Sequence, residues 1–473
     1  MRMYFVYTFF FLNVKINLIY GGSDMNNKLE KRYGLATAIC MVVGIVIGSG
    51  VFFKAEVVLN RTEGNVPLGI LAWIIVGAIM VVCSYVFAKM ANRYEKVNGL
   101  VDYSEATLGD RYAYNMGWFM ATIYTPALVA VLAWVCARYT CSLLGWDITG
   151  GSCMTISAFY LCAIYALNAL SPKLSGKFQV STTIIKMIPL ILMAIVGTIY
   201  GLSNGNLIDS FTNVTSTVGI SEGLMGAVVS VAFACEGWIL ATSINAELKD
   251  AKKNLPLALI VGSLIVISTY ILYYLGINGA SSVSELLANG ENGVRIAFTR
   301  LFGSAAGTIV FVLIVISCLG TLNGLTLANC RGIYALATRN QGPLPELFKQ
   351  IDAYTNMPTN SSTFGLLLSG FWLLYFYGAN LTSGWFGNFC FDSSELPIIT
   401  VYAMYIPMFI KFMMISDDLN AFDRYVMPIL GLCGCCVMVY AAFAAYGVST
   451  VVHYLIVYAV VMFVGNLFYR KSI

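Results

Sequence analysis

The ten residues GIVIGSGVFF, from Gly44 to Phe53, fall inside the first long apolar run of the chain and carry three glycines where a membrane-crossing helix needs continuous winding. Glycine is a poor helix residue, and backbone groups freed within lipid must be satisfied by protein, water or ligand. A helix that breaks at Gly48-Ser49-Gly50 and then restarts exposes the first amide N–H groups of its second half. The positive end of that half-helix then faces inward, an environment suited to a carboxylate. Close packing on a neighbouring helix is the other use of such glycines, since Gly44 and Gly48 form a GxxxG pair. The stretch alone leaves both readings open.

A second apolar run is interrupted in the same manner by Glu236-Gly237, inside FACEGW from Phe233 to Trp238. A charged side chain at membrane depth costs roughly 3 kcal/mol on insertion scales, so it is kept for function or for a partner. Glu236 suits a substrate ammonium or hydroxyl group, or a proton; its bland role is to hold a broken helix together. Lys186, in IIKMIPLIL, is a third intramembrane ionisable group. It needs carbonyl or carboxylate partners, unless it snorkels to the membrane edge. Its central position favours the first.

Around these breaks the composition is that of an integral membrane protein. Of 473 residues, 59% are hydrophobic and 11% charged, with a mean hydropathy of +0.79. A soluble chain carries roughly a quarter charged residues, so a cytosolic enzyme and a disordered chain are both excluded. The net charge of +4 is too small and dispersed for nucleic-acid binding. The partner that composition implies is the lipid bilayer.

Taking about twenty apolar residues per crossing, the chain reads as all-α with about twelve transmembrane helices. They run over 33–58, 68–90, 112–144, 154–170, 178–202, 223–244, 255–278, 305–337, 363–378, 396–412, 426–446 and 451–468, here called spans 1 to 12. Residues 1–24 read as an extension outside the fold, because Met25 precedes a polar start. Residues 25–202 hold the N-terminal segment and spans 1–5, residues 203–414 spans 6–10, and residues 415–473 spans 11 and 12. Five is an odd number of crossings, so a second set repeating the first must lie inverted in the membrane. Interrupted helices at matching places in two such halves point to a transporter's central site.

Lys and Arg concentrate in alternate loops, at Lys89, Arg93 and Arg111, at Lys173 and Lys177, and at Lys249, Lys252 and Lys253. By the positive-inside rule both termini then face the cytoplasm. The thirteen cysteines lie mostly in apolar runs, where they act as small hydrophobes. Cys433, Cys435 and Cys436 lack His or acidic company, and the single histidine, His453, stands alone, so neither a metal nor a cofactor is expected. An enzyme would gather nucleophile and base at one face; no such cluster is present in the sequence. Asp392 and Glu395 read as solvated interfacial groups, and Arg331 as a ligand of carbonyls or lipid phosphate.

Four stretches together carry a resemblance. They are GIVIGSGVFF, FACEGW, INAELKDAKKNLPLAL from Ile244 to Leu259, and SCLGTLNGLTLANCRGIYALATRNQGPLP from Ser317 to Pro345. In this order and spacing the chain resembles the amino acid–polyamine–organocation permeases, and within them the L-type amino acid transporters and bacterial serine/threonine exchangers. The resemblance implies the leucine-transporter-type fold, a five-helix inverted repeat with broken helices 1 and 6 and two peripheral helices. It implies a substrate carboxylate on the amides of Ser49, Gly50 and Val51, and an α-amino group on the carbonyls of Ile45, Val46, Phe233 and Ala234. Phe233 matches the aromatic gate, with Trp238 after it. Lys186 matches a lysine that replaces a sodium ion and bridges span 1 to span 8, where Ser317 is the implied partner.

The expected function is therefore secondary active transport of L-amino acids across the plasma membrane by alternating access, sodium-independent, by exchange or proton coupling. Glu236 favours polar side chains such as serine or threonine, with cationic ones also admitted, because a buried carboxylate needs a donor. The rivals are polyamine or polyamine/amino acid exchange, and a sensor that binds without transport. Cys153 falls in the loop where animal relatives join a single-span heavy chain by a disulfide; the short termini here argue against such a partner.

Overall fold

A computed structural model of the chain describes residues 33–94, 99–214, 218–240, 242, 248–290, 292–382 and 384–470. The expected 1–24 extension, Lys96, the start of the INAELK motif and the side chain of Ser49 lie outside what is described. Among the described residues, eleven helices are long and apolar enough to cross a membrane. The last of them, Phe422–Asn466, is two crossings: Gly447 within it has φ 76° and ψ 158°, which no helix tolerates. Spans 11 and 12 are therefore its two parts, and the twelve expected crossings are accounted for.

Span 1 is two helices, Leu35–Val46 and Ser49–Arg61. Spans 2 to 5 are Val66–Arg93, Asp110–Leu144, Gly151–Leu170 and Pro172–Ser203. Span 6 winds regularly over Ile220–Ala234; spans 7 to 10 are Ala251–Ala280, Ser304–Ala337, Thr359–Leu381 and Leu396–Ile415. Most run past the ends read from hydropathy, because polar terminal turns still wind. Local signals set several ends. Asn65 caps span 2, its Oδ1 accepting from the Leu68 amide at 3.0 Å, with Pro67 in the first turn. Gly145, at φ 72°, stops span 3.

The packing sorts the spans into two groups. Spans 1, 2, 6 and 7 pack on one another, and spans 3, 4, 8 and 9 form a second mutual set. Each group thus joins members five spans apart, the arrangement required of two five-span repeats. Span 5 runs between the groups, touching spans 1 and 8. It is amphipathic in reverse: Ile184, Ile188, Ile195 and Ile199 are exposed at helical spacing, as a lipid-facing stripe is, while Gln179, Thr182, Thr183 and Lys186 are buried. Its inward polar groups find partners. Asn323 of span 8 accepts from Asn168 and Ser175, both at 3.0 Å, and donates to Gln179 at 3.1 Å.

Calling the face where span 1 starts the near face and the other the far face, two contacts pin the near side. The Lys249 amide donates to the Tyr33 carbonyl at 2.8 Å, joining the start of span 1 to the segment before span 7. Lys89 pairs with Asp423 at 2.7 Å, tying span 2 to the start of span 11.

Candidate functional site

The winding of span 1 ends at Val46. Ile47 is extended (ψ 106°), Gly48 has φ −143° and ψ −138°, and the helix resumes at Ser49. The amides of 49–51 are consequently the first of a helix and have no carbonyl within it to bond. Both readings of the glycines hold at once. A Cβ on Gly44 would lie 2.3 Å from Thr183 Oγ1, and one on Gly48 2.2 Å from Thr321 Oγ1. One on Gly50 would lie 2.8 Å from Ala234 Cα, so the two broken segments touch backbone to backbone.

Span 6 stops winding at Ala234, and Gly237 turns the chain with φ 98°, a conformation that suits glycine. The short turn Trp238 to Leu240 follows, with the Leu240 amide on the Gly237 carbonyl at 3.0 Å. The Tyr270 hydroxyl of span 7 reaches the freed carbonyls of both breaks, Val46 O at 2.9 Å and Ala234 O at 3.0 Å. With one proton it donates to one of them at a time. Two of the carbonyls matched to the substrate's α-amino group are thus already bridged by protein.

Between the breaks is a cavity of about 20 Å³, the room of about one water. Ile45, Val46, Gly48, Gly50, Phe233, Glu236 and Gly237 line it from spans 1 and 6, Leu128 and Leu132 from span 3, and Thr321 and Leu325 from span 8. An amino acid enters only if these walls part. Val51 and Trp238 are fully buried and outside this lining; Trp238 packs against Phe87 and Tyr405, with ring centroids 5.9 and 6.5 Å away.

Lys186 donates to the Gly44 carbonyl at 2.7 Å and to the Ile47 carbonyl, and lies 3.4 Å from Thr321 Oγ1. It bridges spans 1 and 8, but through Thr321 rather than Ser317, whose hydroxyl has no hydrogen-bond partner. The reason is register. The carbonyls freed by the break draw the ammonium to the level of Ile47, and Thr321 is the span-8 residue at that level, 3.1 Å from Ile47 O.

Glu236 accepts from the Tyr124 hydroxyl of span 3 at 2.5 Å, while its second oxygen is buried without a partner. Toward the far face, Lys54 of span 1 pairs with Glu395 at the start of span 10, with side-chain exposures of 5% and 3%. Tyr446 of span 11 donates to the other Glu395 oxygen, and the Lys54 ammonium lies 4.7 Å from the Phe233 ring centroid. Glu395 is therefore no solvated interfacial group, since a buried countercharge replaces water. Asp392 is half-buried, and its Oδ1 accepts from the amides of Ser394 and Glu395 at 2.7 and 3.1 Å. Toward the near face a second cavity of about 70 Å³ lies beyond Thr125, Leu240 and Ala328, with Arg331 in its wall.

Sequence reasoning passed over Lys54, Thr321, Tyr124 and Tyr270. Lys54 alone carried a signal: a lysine one turn beyond Gly50 in an apolar run demands a countercharge. Among the described residues, no group of three or more His, Cys, Asp or Glu side chains is placed to hold a metal ion.

A family model described as amino acid permease matches residues 33–466. The serine/threonine exchanger SteT of Bacillus subtilis (strain 168) is 30% identical over 419 residues, 86% of this chain and 90% of that protein. The cystine/glutamate transporter of Homo sapiens is 25% identical over 336 residues, 70% of this chain and 65% of its own length, just short of two thirds of it. Among solved structures, that of MhsT in complex with L-phenylalanine covers 90% of this chain and 99% of its own, with a TM-score of 0.57 and 14% identity. That likeness concerns the fold, and it agrees with two five-span repeats broken at spans 1 and 6. With the family model matched across nearly all described residues, this chain belongs to the amino acid permease family, whose members are membrane transporters.

Proposed function

We propose that this permease carries L-amino acids across the plasma membrane by alternating access, with both termini in the cytoplasm and without sodium. One observation carries the reading: two broken helices meet around one cavity, offering the amides of 49–51 on one side and the carbonyl of Ile45, freed at the end of the first half-helix, nearby. Such paired donors and acceptors complement a zwitterion. Lys186 braces the break in span 1 from span 5, which removes the need for a metal cation there.

The side chain of the substrate would meet Leu128, Leu132, Leu325, Thr321 and Glu236. The unpartnered oxygen of Glu236 favours a side chain with a donor, as serine, threonine and small cationic amino acids have. The near face carries Lys173, Lys177, Lys249 and Arg339, in support of its being cytoplasmic. Cys153 is fully buried at the start of span 4, beside Cys141; this supports a permease that works without a disulfide-linked second chain.

The test is counterflow of labelled serine and threonine in proteoliposomes, with sodium replaced by choline. Flux that survives the replacement and is displaced by serine but not putrescine is the expected result. Binding without flux would favour a sensor, and displacement by putrescine a polyamine carrier.

A further inference from the structure

Two ionisable groups flank the central cavity, and they are bonded in different ways. Lys186 places its donors on neutral oxygens from spans 1 and 8 and is a fully engaged brace. Glu236 is more loosely held, with the Tyr124 hydroxyl on one oxygen, weaker approaches from the Gly237 amide and the Tyr402 hydroxyl, and no close hydrogen bond on the second oxygen. The titratable groups facing Glu236 are Tyr124 from span 3, Tyr402 and Tyr405 from span 10 and Cys83 from span 2, with Cys235 beside it on span 6. None of these is an acid or a base that is charged at neutral pH. The Tyr402 hydroxyl is within reach of the Glu236 carboxyl, and the Tyr405 hydroxyl is buried without a close hydrogen bond. Glu236 therefore has company for either form: as a carboxylate it accepts from tyrosine hydroxyls, and as an acid it donates to one.

The Tyr124–Glu236 bond also crosses a boundary. Glu236 belongs to the group of spans 1, 2, 6 and 7, and Tyr124 to the group of spans 3, 4, 8 and 9. Alternating access moves one group against the other, so this inference rests on the transport reading above. A carboxyl group's hold on its proton depends on how many donors it accepts, and Tyr124 is the donor that such a motion removes. Linkage then requires proton occupancy to change with conformation.

The geometry points to Glu236 as the coupling group of a proton symporter. It takes one proton from water on the side to which the site is open and releases it to water on the other side, in step with one amino acid. No other bond is made or broken. Lys186 holds the site together and carries no part of the proton cycle.

The experiment uses the full chain in proteoliposomes containing a pH-sensitive dye, with potassium and valinomycin to clamp the voltage and labelled serine added outside. For the parent protein, the lumen acidifies in proportion to serine entry, at about one proton per serine. Glu236→Gln loses the acidification per serine entered, whatever rate of uptake remains, and Glu236→Asp regains it. Tyr124→Phe keeps the ratio but shifts the pH of half-maximal uptake by roughly one unit. Serine entry without acidification in the parent overturns the proposal. So does an unchanged ratio in Glu236→Gln, or an unmoved pH midpoint in Tyr124→Phe, which keeps the question decidable if Glu236→Gln fails to fold. Absence of any amino acid flux in the parent would instead overturn the transport reading, and this inference with it.

Discussion

Charge buried at membrane depth is handled in two ways in this molecule. Lys54 and Glu395 meet as an ion pair on the far side, whereas Lys186 and Glu236 stay apart and rely on neutral groups around the central cavity. The first arrangement holds a structure shut, because each charge replaces much of the water the other has lost. The second lets Lys186 brace the break in span 1 through neutral oxygens and leaves Glu236 free to answer to a ligand or a proton.

This contrast can be broken most forcefully at the pair. Lys54→Ala or Glu395→Ala alone should lower stability by about 3–5 kcal/mol, since an uncompensated buried charge remains. The double replacement Lys54→Met with Glu395→Leu should recover most of that, as read by thermal unfolding in detergent. A double variant no more stable than either single one would mean that the two charges do not act as a unit.

Next in size is Lys186→Met, which strips donors from the carbonyls of Gly44 and Ile47. At about 1–3 kcal/mol per unsatisfied buried group, the initial rate of serine uptake should fall by roughly 100-fold or more. Lys186→Arg should rescue little of it, because a planar fork replaces a compact ammonium. Wild-type rates in Lys186→Met would remove the brace from this account.

A smaller effect is expected at Tyr270→Phe, which loses one hydrogen bond shared between the breaks. About 1 kcal/mol is at stake, a several-fold change in the serine concentration for half-maximal uptake. No change would mean that the breaks keep their separation without this link.

The smallest concerns Glu285 and Arg300 in the far-side loop, paired at 2.5 Å. The Arg300 hydrogen bond holds the Glu285 carboxyl below the usual glutamate range. A lowered folded-state pKa stabilises above the unfolded value, and that contribution disappears as pH falls through the folded one. The pair is partly exposed, so under about 1 kcal/mol should be lost on acidification. The melting temperature of Arg300→Met should lack this acid-side component.

The breaks were legible in the sequence because glycine acts on its own backbone. Gly48, Gly50 and Gly237 announce a local conformation, and no distant residue is needed to interpret them. The order of the four motifs added the fold. What stayed hidden depends on register between elements far apart in the chain. Lys54 and Glu395 are 341 residues apart, and Glu395 beside Asp392 resembles any solvated loop end. Ser317 and Thr321 share one face of one helix, and only the depth of span 8 against the break in span 1 decides which of them Lys186 reaches. Tyr124 and Tyr270 are two among 29 tyrosines, and nothing local distinguishes a tyrosine that joins two moving parts from one that fills space.

The corner at Gly447 has a consequence of its own. A single residue with φ 76° reverses the chain between spans 11 and 12, and Tyr446, immediately before it, grips Glu395. A hairpin with so little slack cannot bend at its tip without pulling on that grip. A nanobody or cross-linker that seizes this tip would act as a handle on the entrance, altering traffic through the permease from a spot that never meets the cargo.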